Sequence, residues 1–169
     1  DYALLGTVPE ATLRVPSFSA WLEDQDKVPA YRFLARMLRY LAWQRRPPGA
    51  EPGAPVRWVL KTPQHLEDLD ALLQVFPDAR IVQTHRDPVR LIPSVCSLCW
   101  SAREALNTGT DPHVFGRSTL ALWERSIFSM MEARATQAPD RFYDLHFDRF
   151  IADPLAAIRD VYQAFDIPW

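Results

Sequence analysis

Apolar side chains recur at helical spacing over residues 29–46, which read PAYRFLARMLRYLAWQRR. Pro29 suits the first position of a helix, because a backbone N–H is not needed there. The apolar stripe of this predicted helix consists of Phe33, Leu34, Met37, Leu38 and Leu41. Arginines fill much of the remaining surface, which either approaches an anion or is simply solvated.

Strand-like runs alternate with helical stretches in the middle of the chain. RWVLK at residues 57–61 predicts a short buried strand, and ARIVQT at residues 79–84 predicts a second strand. Between them, Pro63 opens a helix long enough for a right-handed crossover, so the two strands are expected to be parallel. A further helix is predicted over residues 88–103, and Pro93 either kinks this helix or makes it restart.

The last third of the chain continues this alternation. Asp111–Pro112 predicts the start of a long helix, RFYDLHF at 141–147 predicts a third strand, and Asp153–Pro154 opens a final helix. The core face of the long helix is predicted to consist of Leu120, Trp123, Ile127, Met130 and Met131. Together the pattern predicts a strongly helical α/β architecture of three layers with a short parallel sheet.

Composition is that of an ordinary globular protein. The chain has 169 residues, of which 48% are apolar and 24% charged, and its net charge is −2. These values allow one domain with a core and argue against a protein built mainly to bind nucleic acid. No apolar run approaches the length of a membrane span. Because the chain begins with Asp1 and ends at Trp169, we expect a piece of a longer polypeptide.

Cys96 and Cys99 form a C-x-x-C pair, which is compatible with redox chemistry, half of a zinc site or two core thiols. The pair falls inside an apolar helical pattern, and no second Cys or Cys/His pair follows at ligand spacing. We therefore favour core thiols, no metal site and a reducing, cytoplasmic location.

Candidate chemistry collects where the predicted strands end. Lys61 and His65 follow the first strand, His85 and Arg86 follow the second, and Ser94 lies on the next helix. In an open parallel sheet, ligands bind beyond the carboxyl ends of the strands. We therefore expect a ligand site at this edge.

Arg86 and Ser94 are the residue types that hold a phosphate. A guanidinium is a planar fork that fits phosphate oxygens, and a serine adds a hydroxyl donor. If the helix restarts at Pro93, free backbone N–H groups lie beside Ser94 as well. The alternative is a salt bridge within the turn between Arg86 and Asp87, with Ser94 facing solvent.

The stretch WVLKTPQHLEDLDALLQVFPDARIVQTHRDPVRLIPSVCSL resembles the core of the sulfotransferase family, in particular its bacterial branch. The resemblance implies a P-loop-like fold and transfer of a sulfuryl group from 3′-phosphoadenosine 5′-phosphosulfate (PAPS) to a hydroxyl or amine. It also implies that Arg86 and Ser94 form the clamp for the 3′-phosphate of the donor. Phe147, in DLHFDRFIADPLAAI, falls about where the family carries an aromatic residue near the adenine.

Lys61 occupies the position of a family lysine that would contact the bridging oxygen or the sulfonate and neutralise charge on the leaving phosphate. A strand-end lysine in water is the alternative. His65 is the candidate base for the acceptor proton, because an imidazole titrates near neutral pH. It follows Lys61 by four residues, whereas the cytosolic branch has its histidine two residues after the lysine. A structural histidine, with the base upstream of Asp1, is therefore the alternative for His65.

Two expected features of the family do not occur in this sequence. The P-R/K-S-G-T loop that grips the 5′-phosphosulfate is missing, and the C-terminal R-K-G segment is missing too. The glycines form no phosphate-cradling loop and occupy positions Gly6, Gly49, Gly53, Gly109 and Gly116. We therefore interpret residues 1–169 as one partial sulfotransferase domain that is inactive alone, or less simply as an inactive remnant.

Three segments make up this predicted domain. Residues 1–46 form a helical acceptor-side segment, residues 57–103 form the βαβα core with the clamp, and residues 111–169 form a helix–strand–helix unit. Phe18 and Trp21 are expected to wall the acceptor side. The expected acceptor is a small molecule, a carbohydrate or a lipid, and its identity and the oligomeric state stay open. The rival interpretation is a non-catalytic helical interaction module with a residual nucleotide site, whereas a P-loop kinase fits the sequence poorly.

Overall fold

The computed structural model describes residues 4, 6, 13, 15–47, 49, 56–106 and 111–169. The chain divides into two compact units, residues 1–77 and residues 78–169. None of the helices in these described ranges is both long and apolar enough to cross a membrane.

The first unit is helical. Its described helices are α1 (Pro16–Glu23), α2 (Val28–Gln44), α3 (Gln64–Glu67) and α4 (Leu69–Val75). Helix α2 packs against α4, and the predicted helix over 29–46 is thereby confirmed. The buried apolar side chains of this unit are Leu22, Tyr31, Leu38, Leu69, Leu72 and Leu73.

The predicted strand at residues 57–61 is wrong. These residues have no regular secondary structure, and the side chain of Val59 is 90% exposed. A strand needs a neighbour that pairs its backbone N–H and C=O groups. The described part of the first unit contains no strand that could pair with it. The predicted crossover helix is also divided, because Asp68 leaves helical geometry between α3 and α4.

The second unit is built around a two-stranded parallel sheet. Strand β1 (Ile81–His85) pairs with β2 (Phe142–His146) in a register that runs from Ile81↔Phe142 to His85↔His146. The described helices are α5 (Pro88–Leu106), α6 (Pro112–Ala135), α7 (Phe147–Ala152) and α8 (Pro154–Ala164), with a 3-10 turn at Pro139–Arg141. The predicted strongly helical α/β fold with a short parallel sheet is confirmed.

Aspartate followed by proline starts three of the four described α-helices of this unit, namely α5, α6 and α8. The side chain of Asp87 accepts a hydrogen bond from the backbone N–H of Val89 at 2.9 Å. The side chain of Asp111 accepts one from the backbone N–H of His113 at 2.8 Å. Helix α5 runs without a break through Pro93, so the predicted restart at that proline does not occur. Ser94 consequently lies in the second turn of α5 rather than in a first turn with free backbone N–H groups.

The predicted core face of α6 is only partly right. Met130 is buried, but Leu120 and Met131 are more than half exposed. The buried positions of this helix include the small polar residues Thr119 and Ser126. A buried hydroxyl can bond to the helix backbone instead of water. Ser126 Oγ, for example, donates to the carbonyl of Leu122 at 2.8 Å. A search for apolar periodicity overlooks a face of this kind.

Candidate functional site

The carboxyl end of the sheet brings Arg86 and Phe147 together. The strands end in register at His85 and His146, so the next residue of each strand emerges beside its neighbour. The guanidinium carbon of Arg86 lies 4.5 Å from the centroid of the Phe147 ring. A cation over an aromatic face is attracted by the ring and keeps the N–H groups at its edge for other acceptors.

Arg86 has no carboxylate partner among the described residues. It is exposed, whereas its neighbour Asp87 accepts from the Val89 backbone and lies 3.9 Å from Arg90. The alternative salt bridge between Arg86 and Asp87 is therefore not formed. The guanidinium has donors available for an anion that reaches this edge.

Ser94 is exposed on α5, and no described side chain or backbone group bonds to its hydroxyl. It lies six residues beyond Pro88, which is roughly 9 Å along the helix axis. The hydroxyl thus faces outward in the second turn of the helix that follows Arg86.

A charged network lies on the adjacent face of the sheet. Arg134 donates to both carboxylate oxygens of Asp144 at 2.7 and 2.8 Å, and it also donates to Gln83 at 2.6 Å. His85 Nε2 contacts the same carboxylate at 2.7 Å. The bonds from Arg134, and then from His85, hold the pKa of Asp144 far below its usual range. The pairing also raises the pKa of Arg134.

Sequence reasoning missed this network. Its one visible signal is Asp144, a charged residue in the middle of the strand-like run RFYDLHF. His85, which that reasoning did select, is held by the network, and its ring stacks on His146 at 5.1 Å between centroids. The network therefore fixes the strand ends from which Arg86 and Phe147 emerge.

In the first unit, His65 is bound by a residue from a distant part of the sequence. Its Nδ1 lies 2.9 Å from the hydroxyl oxygen of Tyr31, which is buried on α2. Lys61 is exposed in the segment without regular structure, and none of the described groups bonds to it. Tyr31 was missed because the predicted apolar stripe of this helix included Phe33 and Met37, which are exposed, and not Tyr31, which is buried.

Burial shifts the titration of this cluster toward neutral groups. Burial lowers the pKa of His65 and raises the pKa of Tyr31. The negative charges of Asp68 and Glu67 add to the upward shift of the Tyr31 pKa. Burial also raises the pKa of Asp68 to about 6, although the hydrogen bond from Gln64, at 2.8 Å, opposes the shift. His65 is consequently a neutral imidazole at pH 7, as a proton acceptor must be.

The two cysteines are free thiols on α5 and are partly buried. Burial raises the pKa of Cys99. Among the described residues, no three side chains of His, Cys, Asp or Glu meet in a group that would hold a metal ion.

Comparison with known families decides the class of protein. A model described as the sulfotransferase family matches residues 1–169. The chain belongs to the sulfotransferase family. This membership favours an enzyme over a non-catalytic helical interaction module.

Relatives of this sulfotransferase chain come from mycobacteria. The omega-hydroxy-beta-dihydromenaquinone-9 sulfotransferase Stf3 of Mycobacterium bovis is 30% identical over 111 residues. A protein of the same name from Mycobacterium tuberculosis matches equally well. The matched region covers 62% of this chain and 27% of the Stf3 protein, so the chain corresponds to a minor part of that relative's length.

Two solved sulfotransferase structures share the fold. The sulfotransferase STF1 of Mycobacterium tuberculosis is 35% identical and superposes with a TM-score of 0.83, over 94% of this chain and 41% of that one. The sulfotransferase STF9 of Mycobacterium avium is 29% identical with a TM-score of 0.85, over 97% of this chain and 40% of that one. This sulfotransferase chain therefore has the fold of a region that makes up less than half of each of these two relatives.

Proposed function

We propose that the protein containing this chain transfers a sulfuryl group from PAPS to an acceptor hydroxyl or amine. The observation that carries the proposal is Arg86. This arginine follows a parallel strand at its carboxyl end, rests on an aromatic ring 4.5 Å away and has no carboxylate partner among the described residues. A guanidinium held in this way is suited to a phosphate of the nucleotide.

The second unit would hold the donor. In this proposal Arg86 and Ser94 bind the 3′-phosphate, and Phe147 packs near the adenine. The exposed hydroxyl of Ser94 and the free edge of Arg86 support these roles. When bound, PAPS supplies the sulfuryl group, and the residues of this unit hold and orient the nucleotide.

The first unit would carry the groups that act on the transferring sulfuryl group and the acceptor. Sulfuryl transfer resembles loose phosphoryl transfer, so positioning and charge neutralisation supply most of the catalysis. We assign charge neutralisation to Lys61 and proton removal to His65. For Nε2 of His65 to accept a proton, Nδ1 must carry the ring hydrogen, and the tyrosine oxygen 2.9 Å from Nδ1 offers that hydrogen an acceptor.

The acceptor class is proposed from a relative and from the first unit. Stf3 is named for its action on an omega-hydroxy menaquinone derivative, which is a small lipid-like molecule. Phe18 and Trp21 lie next to each other on α1, with ring centroids 5.6 Å apart, and Trp21 is exposed. We propose that these rings contact an apolar acceptor that carries a hydroxyl group. The free thiols on α5 are compatible with a cytoplasmic location, which stays a prediction.

Nucleotide binding tests the assignment directly. In the full-length gene product, Arg86→Ala is expected to weaken binding of adenosine 3′,5′-bisphosphate by about 2–4 kcal/mol, measured by calorimetry. Ser94→Ala is expected to weaken it by about 1 kcal/mol, because a single neutral hydrogen bond is lost.

Arg80→Ala is the matched control. Arg80 immediately precedes β1, at the opposite end of the strand from Arg86, and contacts Asp140 and the Phe165 ring. Its removal should leave the affinity for the bisphosphate unchanged. If the Arg86→Ala and wild-type proteins bind the bisphosphate with equal affinity, Arg86 does not hold the 3′-phosphate. The main support for PAPS as the donor would then be lost.

A further inference from the structure

Helix α2 carries a concentration of positive charge that the rest of the chain does not share. Residues 28–46 contain no Asp or Glu, although the net charge of the whole chain is −2. The arginines of this segment are Arg32, Arg36, Arg39, Arg45 and Arg46. All of them are exposed, and none has a carboxylate partner within the described ranges.

The same helix has two apolar faces, of which only one is buried. Tyr31 and Leu38 point into the first unit, where α2 packs against α4. The opposite face exposes Phe33 by 44%, Met37 by 38%, Tyr40 by 53% and Trp43 by 69%. We refer to these four residues as the aromatic stripe.

Helical geometry makes the aromatic stripe continuous. Its members follow one another at spacings of three or four residues, so they lie side by side along the helix. The Tyr40 and Trp43 rings are 5.8 Å apart, and Arg36 lies 5.7 Å from the centroid of Phe33. At about 100° per residue, Arg32 and Arg39 flank the stripe on the side of Trp43, and Arg36 lies between Trp43 and Tyr40.

We propose that α2 docks on the surface of an anionic phospholipid bilayer, with the aromatic stripe in the interface and the arginines on lipid headgroups. The combination of Trp, Tyr and Phe with flanking arginines is that of helices which lie in the plane of a membrane surface. Long arginine side chains reach past the apolar stripe to the phosphates. With 17 residues, the helix offers about 25 Å of contact along its axis.

Charge complementarity favours a bilayer over a second copy of the chain. A symmetric pair of α2 helices would bring like charges together, since the segment contains arginines and no carboxylates. An anionic surface instead attracts every one of these arginines. This proposal does not depend on the sulfotransferase activity, although docking would bring the enzyme to acceptors dissolved in a membrane.

Vesicle co-sedimentation tests the proposal without PAPS or acceptor. The wild-type protein is expected to bind vesicles of phosphatidylcholine with about 30% phosphatidylglycerol, to bind pure phosphatidylcholine weakly, and to be released by salt. The triple variant Arg32→Gln, Arg36→Gln, Arg39→Gln should lose about 100-fold in partition, because each arginine contributes about a factor of five. Phe33→Ser with Trp43→Ser should also lose binding, through the apolar contact.

The control removes the same charge elsewhere. Arg57→Gln, Arg117→Gln and Arg159→Gln change three exposed arginines outside α2 and should reduce partition by less than about threefold. Circular dichroism and thermal unfolding verify that every variant is folded. Equal losses in both triple variants, equal binding to both vesicle types, or a dimer that depends on α2 in sedimentation velocity would each overturn the proposal.

Discussion

The two units of the chain control their ionisable groups in opposite ways. In the first unit, burial shifts the pKa values of Tyr31, His65 and Asp68 toward the neutral forms. In the second unit, pairing shifts the pKa values of Arg134 and Asp144 toward the charged forms. The first arrangement favours the neutral form of each group, and the second leaves fixed charges.

This difference matches the division of labour that we propose. A base must be neutral before it accepts a proton, which desolvation of His65 favours. An anion site instead needs permanent positive charge on a rigid support, and the second unit supplies a guanidinium at the end of a braced strand. Substitutions that reverse either effect therefore test the comparison.

The largest effect is expected from His65→Ala, which should lower the turnover number. If the first unit supplies the base, turnover in the full-length gene product should fall by about 10²–10⁴-fold while affinity for the bisphosphate stays near the wild-type value. The measurement is transfer of labelled sulfuryl from PAPS to a short-chain prenyl alcohol. Unchanged turnover would return His65 to a structural role.

Tyr31→Phe separates orientation of the imidazole from its chemistry. The hydroxyl that contacts Nδ1 is removed, while the buried ring is kept. We expect turnover to fall by about tenfold, since the wrong tautomer becomes populated. The acid limb of the pH profile of kcat/KM should move to lower pH, because the imidazolium loses a hydrogen-bond acceptor. An unshifted profile would contradict this positioning role.

The next largest effect is expected from Asp68→Asn, which should change the free energy of unfolding. The raised pKa of about 6 means that the folded state favours the protonated carboxyl. The stability that protonated Asp68 contributes is full below about pH 4 and is lost as the pH rises through about 6. The asparagine should therefore raise the free energy of unfolding at pH 7 by about 1–3 kcal/mol, measured with urea. Exposed Asp70→Asn, on the same helix, should have no such effect, and a destabilised Asp68→Asn protein would refute the expectation.

The smallest effect, with the opposite dependence on pH, is expected from Arg134→Met. This change removes two charge-assisted bonds to a partly exposed carboxylate, so we expect a loss of about 1–2 kcal/mol at pH 7. Because the pKa of Asp144 is depressed, the contribution is present above about pH 4 and disappears on acidification. The variant should approach wild-type stability in acid. A pH-independent difference would contradict the pairing, and Arg117→Met on the same helix is the control.

Local signals predicted much of the fold. Aspartate–proline pairs correctly marked the starts of α6 and α8, and alternating apolar residues marked β1 and β2. Such signals succeed because the interactions that they encode lie within a few residues of one another. The strand predicted at 57–61 failed because pairing requires a partner that local sequence does not specify. The register of β1 and β2 was equally invisible, although it brings Arg86 to Phe147.

The sequence by itself determined the family, the two strands and the three proline-started helices of the second unit, and Arg86 as the residue following a parallel strand. Only the tertiary structure decided that Tyr31 meets His65, which lies 34 residues away, and that Arg134 braces Asp144. It also decided which face of α2 is buried and which stays exposed. The physical reason is that caps and periodicity are properties of neighbouring residues, whereas desolvation and charge pairing depend on segments that only packing brings together.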